Sequence, residues 1–167
     1  SQIMENWVWE KECLDTFARH YESGELIPQR LFDQVYSARN FRAASMTMRQ
    51  LAFGTEDLFL HREYDKNRDG DPISTARAIE QRYFPFPLLP EHSFIAAFTH
   101  LFGDPEGYAA GYYSYKWAEA LDADAFTRFQ KEGIFNPATG RAFKRAILER
   151  GNSDEPEKLF REFMGRD

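Results

Sequence analysis

The chain has a single cysteine, Cys13, among 167 residues. An internal disulfide is therefore excluded, and so is a cysteine-rich structural zinc site. One thiol fits a reducing compartment, and a cytoplasmic location is expected. Proline and glycine are sparse, at 8 and 10, which excludes collagen-like and low-complexity chains. No apolar run approaches the roughly 20 residues that a membrane-spanning helix needs. The most apolar stretch, Phe84 to Pro90, is interrupted by Pro85 and Pro87. Basic charge is also short: 21 Lys and Arg face 27 Asp and Glu, a net charge of −6. That balance argues against nucleic acid as a partner, and no membrane partner is expected.

Aromatic residues are abundant. Sixteen Phe, eight Tyr and three Trp supply enough burial to exclude a disordered chain. Strand patterns are almost absent, and helical spacing recurs throughout, so the expected fold is mainly α. Ile3, Trp7, Leu14, Phe17 and Tyr21 mark a first helix that should end near Ser23-Gly24. Leu31, Val35 and Ala38 mark a second. Phe41 to Ala52 mark a third, with a kink expected at Gly54. Ser74 or Thr75 should cap a short helix over residues 76–83. Phe84 to Pro87 should be extended, because residues before proline leave the α region. A long helix is expected over residues 108–132, ended by Gly133. Two shorter ones should follow near Pro137–Glu149 and Pro156–Met164. An apolar stripe that starts at residue 3, and another beside the last residues, lead us to expect a fragment of a longer chain.

Few residue sets suggest metal chemistry. His20, His61, His92 and His100 include no pair at i, i+4 and no His-Glu-x-x-His. His20 and His61 read as surface or half-buried helix residues. Asp65 to Gly70 resembles the start of a calcium loop, but position 12 is Ala76 where a bidentate Glu is needed. A solvated turn is the simpler reading there.

The tyrosines are more informative. On one continuous helix, Tyr108, Tyr112 and Tyr115 at i, i+4 and i+7 would share a stripe roughly 60° wide. Gly111 beside them leaves room for a ligand to approach. Tyr113, Trp117 and Leu121 would form the opposite face, a candidate core face. Either all the tyrosines are core residues with satisfied hydroxyls, or one row of phenol donors lines a cleft. Such donors suit a peptide carbonyl or an oxyanion. The loop at residues 100–107, with two glycines, would be a mobile lip.

His100 followed by Gly107-Tyr108-Ala109-Ala110-Gly111-Tyr112-Tyr113-Ser114-Tyr115-Lys116-Trp117-Ala118-Glu119 resembles the zinc oligopeptidase family of thimet oligopeptidase, neurolysin, oligopeptidase A and dipeptidyl carboxypeptidase. Ser1 to Trp7, Glu132 to Asn136, and Leu159-Phe160 with Phe163, Gly165 and Arg166 carry the same resemblance across essentially the whole chain. It is strongest toward the bacterial oligopeptidase A and dipeptidyl carboxypeptidase branch. The resemblance implies residues 1–167 as the C-terminal part of the catalytic domain of a mainly helical, two-lobed zinc peptidase that cleaves short peptides. All zinc ligands and the general-base Glu would lie before Ser1. The parent would use zinc, and this chain would bind none tightly.

By the same resemblance, Tyr112 and Tyr115 would hydrogen-bond the tetrahedral intermediate. His100, Tyr108, Gly107 and Gly111 would contact substrate. Glu5, two helical turns after the missing third ligand, would orient a ligand histidine from behind it. The loop departs from the family pattern, since residues 103–107 lengthen it and Pro105 stiffens it. The expected partners are short peptides and the missing N-terminal part of the same protein. The rival readings are a noncatalytic helical peptide-binding module and a purely structural fragment.

Overall fold

A computed structural model describes residues 2–166. Among them are nine α-helices, two 3-10 segments and one π turn. There is no strand among the described residues; a single antiparallel bridge joins Arg19 and Leu26. The mainly α expectation holds. The chain forms two compact units, one from residues up to Phe32 together with those from Glu119 onward, the other from Asp33 to Ala118.

The first unit is organised by aromatic rings. A 3-10 segment, Gln2–Trp9, precedes helix α1, Lys11–Phe17. The helix stops well before Gly24, where the sequence pattern would end it. Ala18 is already extended, and His20 Nδ1 then accepts from the backbone N–H of Ser23 at 3.1 Å. That side-chain turn competes with helix propagation. Helix α7, Ser114–Glu132, buries Ala125, Phe126 and Phe129 in its second half. Trp7 stands edge-on to Phe126 and Phe129, with centroids 4.8 and 4.7 Å away. Its indole N–H donates to Ile134 O at 3.0 Å, so the one polar atom of the ring is satisfied. Gly133, at φ +104, ends α7 in a conformation that glycine adopts without steric cost. Asn136 Oδ1 accepts from Ala138 N at 2.9 Å and caps α8, Pro137–Phe143. A π turn, Lys144–Leu148, leads on toward α9, Pro156–Met164. Phe143 and Phe163 pack on each other at 5.1 Å and both reach Phe129 at 5.8 Å.

The second unit is built on α3, Ala43–Arg62, with α2, Gln29–Ala38, leading into it. Helix α3 continues through Gly54 without a break. The glycine serves close approach: an added Cβ would lie 3.3 Å from Tyr113 Cα. After a one-turn helix, α4, Lys66–Asp69, helix α5 runs Pro72–Gln81. Asp71 caps it, not Ser74 or Thr75; Ser74 supplies the N–H, 2.8 Å from Asp71 Oδ2. Asp65, first residue of the calcium-like sequence, spends Oδ1 on Asn67 N and caps α4. The proline-rich stretch is tied down by Gln81, which donates to Phe86 O and accepts from Leu88 N. A 3-10 segment, Phe94–Ala97, and helix α6, Thr99–Phe102, complete the unit. Its apolar core is Phe53, Ala76, Ile95, Phe98 and Leu101.

Three acids are buried in this unit. Glu56 and Asp57 on α3 have no exposed surface, and Glu80 on α5 has 3%. Glu80 Oε2 meets His92 Nε2 at 2.6 Å. Burial, reinforced by the neighbouring Glu80 charge, pushes the Glu56 carboxyl up to about 8.

Two predictions follow from these cores. Phe163, 1% exposed, should cost about 3–5 kcal/mol when changed to Ala, whereas Tyr21→Ala at an 88% exposed site should stay within about 0.5 kcal/mol. Urea unfolding checks both. Between the ordinary carboxyl value and about 8, folded Glu56 keeps a proton that the unfolded chain releases. Its contribution therefore makes stability fall as pH rises through that window. Glu56→Gln should melt close to the parent near about pH 5, and above it by a gap that widens toward pH 8 and then levels.

Candidate functional site

The turn that carries the tyrosines is shaped by one face of α3. Asp57 accepts from Ala110 N through Oδ1 at 3.0 Å and from Tyr112 N through Oδ2 at 2.8 Å. Ala110 sits at φ +55, a left-handed conformation unusual for a residue with a Cβ. One helical turn along, His61 Nδ1 lies 2.9 Å from Asp57 Oδ1. The His61 ring stacks on Phe102 of α6 at 4.9 Å. Helix α3 thus holds both the turn and the short helix that bears His100.

These supports place five rings in a row. Tyr108 lies 5.8 Å from His100, His100 lies 5.7 Å from Phe98, Phe98 lies 5.3 Å from Tyr112, and Tyr112 lies 5.0 Å from Tyr115. Phe53 meets Tyr112 edge-on from the core at 5.7 Å. Tyr112 is half-buried, while Tyr108 and Tyr115 are 68% and 46% exposed. Burial lifts the Tyr112 phenol above its ordinary value, with Gln50 and the Arg49 cation partly opposing and Tyr115 adding to the rise. Tyr112 is accordingly a neutral O–H donor at physiological pH. The amides of Ser114, Tyr115 and Lys116 are spent on the carbonyls of Gly111, Tyr112 and Tyr113. The helix start therefore offers none of these three amides to a ligand.

The single-helix reading of the tyrosines is corrected. Helix α7 begins at Ser114, so Tyr108 and Tyr112 precede it and only Tyr115 lies on it. The grip of Asp57 and the left-handed Ala110 stop the helix from extending backward. The rings nonetheless reach one row through the turn. The expected core face is also corrected: Tyr113, Trp117 and Leu121 are 48%, 67% and 51% exposed. Helix α7 buries Ala125, Phe126 and Phe129 instead, residues the spacing argument did not use. The space beside Gly111 is not open either. An added Cβ would meet Tyr108 O at 3.3 Å, and one on Gly107 would meet Asp104 Cβ at 3.3 Å. Both glycines close tight local turns.

Glu5 lies exposed on the 3-10 segment of the other unit. With 3 residues per turn there, the α-helical register used to align it with an upstream ligand does not apply within this stretch. Asp57 escaped the sequence reading, although its i, i+4 spacing to His61, which is the surface helix residue that was expected, was a usable signal. Among the described residues no group of three His, Cys, Asp or Glu is placed to hold a metal ion. The residues present do not fit a zinc site.

The profile described as peptidase family M3 matches residues 1–167. Oligopeptidase A of Haemophilus influenzae is 44% identical over the whole chain, and that of Escherichia coli 46%. A probable cytosolic oligopeptidase A of Arabidopsis thaliana is 41% identical, again over the whole chain. In each case the chain spans 24% of the relative's length. On a match that runs the full length of the sequence, this chain belongs to peptidase family M3.

Proposed function

We propose that the chain is the part of a zinc-dependent oligopeptidase that supplies the tyrosine and histidine wall against which a short peptide is held and cleaved. The observation that carries this reading is the pairing of Tyr112 and Tyr115. The two rings are 5.0 Å apart, one half-buried with its phenol kept neutral, the other exposed. Two phenol O–H groups carried on rings packed this closely favour a carbonyl oxygen that gains negative charge over one that does not. Tyr112 and Tyr115 would donate to that oxygen as the scissile carbonyl becomes tetrahedral. Tyr108 and His100, at the exposed end of the row, would contact the peptide on one side of the scissile bond. Gly107 and Gly111 would shape the turn that carries them.

The zinc would be held by residues outside this chain. Glu5 is proposed to support a ligand from the third-ligand segment. The exposed Trp117 and Leu121 would meet the remainder of the same protein, of which the relatives have about four times this length. No helix among the described residues is long and apolar enough to cross a membrane. A cytoplasmic location is proposed from the lone thiol and from the relative named as cytosolic.

Two experiments test the reading. In the full-length protein, Tyr115→Phe should lower kcat about 10²–10³-fold with little change in KM, since the lost bond forms to the developing oxyanion. An unchanged kcat would leave the row as a peptide-binding surface only. The isolated chain should neither hydrolyse a quenched fluorescent peptide nor retain zinc stoichiometrically after dialysis. Metal-dependent turnover by the isolated chain would show that it carries a complete site.

A further inference from the structure

We propose that Asp57 is a positioning residue that fixes Tyr112 by holding the amides of Ala110 and Tyr112 together. The inference rests on the reading that Tyr112 acts on the substrate, and it goes beyond that reading by naming what aligns it.

Several observations converge on Asp57. Its carboxylate has no exposed surface. Each oxygen receives one N–H of the same turn, from residues 110 and 112, at 3.0 and 2.8 Å. An ionised carboxylate is an acceptor at both oxygens, so it matches two inward N–H groups. An asparagine in its place would accept only one and would turn an NH₂ toward the other. Charge-assisted bonds of this kind are among the stronger ones in a protein. They offset the left-handed φ of +55 that Ala110 adopts, a conformation an alanine does not choose unaided.

The surrounding contacts make the alignment specific. Gly54, three residues before Asp57, lets the Tyr113 backbone approach to a distance that any Cβ would crowd. His61 touches the same carboxylate at 2.9 Å and stacks on Phe102. Through that stack Asp57 is also joined to α6, which carries His100. One buried side chain therefore couples the two backbone segments that bear the row of rings. The Tyr112 side chain branches from the Cα next to the amide nitrogen that Asp57 holds, so loss of the grip moves the phenol directly. A misplacement of about 1 Å costs catalysis on the order of 10²-fold.

The test uses the full-length protein. Amide exchange comes first: in the parent, the Ala110 and Tyr112 amides, held by a buried carboxylate, should exchange at least about tenfold more slowly than those of Glu106 and Gly107, which bond only to Asp104 within the same exposed loop. Equal rates would overturn the proposal, whether or not any variant folds. Steady-state kinetics then follow on Asp57→Asn, Tyr112→Phe and the double variant. Asp57→Asn should lower kcat about 10- to 100-fold, change KM by less than about twofold, and speed exchange at Ala110 and Tyr112. In the Tyr112→Phe background the same change should cost less than about threefold, because the group it aligns is already gone. An equal loss in both backgrounds would mean a general structural role and would overturn the proposal, as would an unchanged kcat in the parent background. If Tyr112→Phe alone leaves kcat intact, the functional reading fails. The grip of Asp57 on the turn is then decided by the exchange rates alone.

Discussion

A carboxylate sealed from water must find donors, and in this chain Asp57 finds them in the backbone of a turn more than fifty residues away in sequence. That requirement organises the second unit. Burying an ionised group without compensation is costly, so the turn at 110–112 is held where its amides can point inward. Ala110 takes a left-handed φ, helix α7 cannot start before Ser114, and Tyr112 is delivered against the packed rings of Phe53 and Phe98. Gly54 is part of the same constraint. Its lost side chain is what lets the turn settle on α3. The aromatic row follows from polar bonding behind it rather than from helical periodicity.

Glu56, the neighbour of Asp57, shows what the same burial does without partners. Neither of its oxygens has a hydrogen-bond partner among the described residues, and the nearby charge of Glu80 raises its carboxyl further. Two adjacent acids on one helix are therefore held in opposite ways. One is met by two amides and a histidine. The other is favoured as the neutral acid. Environment, not residue type, separates them.

The first unit depends on a different kind of interaction. Trp7 reaches across to Ile134 and to Phe126 and Phe129 of α7, and Phe143 and Phe163 pack on Phe129 behind it. Large aromatic faces contribute most of the apolar area there, and their edge-to-face geometry fixes how the helices meet. Arg128 adds to this by lying over the Phe163 ring at 4.9 Å and donating to the Phe163 carbonyl. That side of α7 has a purely packing role, while Tyr115 at its start belongs to the proposed site.

What the sequence determined by itself was the class of the fold, most helices, and the family. Helical spacing and the absence of strand patterns are local properties, and they survive in α2, α5, α8 and α9. The motif from Gly107 to Glu119 and its companions were enough to indicate the family. Tertiary structure alone decided where the tyrosines stand. A 3.6-residue period assumes a continuous helix, and it cannot register a distant carboxylate that captures two amides and ends that helix early. For the same reason periodicity missed Asp57: an acidic side chain on a helix reads as surface until something packs over it. The exposure of Trp117 and the burial of Phe126 were likewise settled by what lies against each turn of α7, a property of neighbours that no single segment of sequence contains.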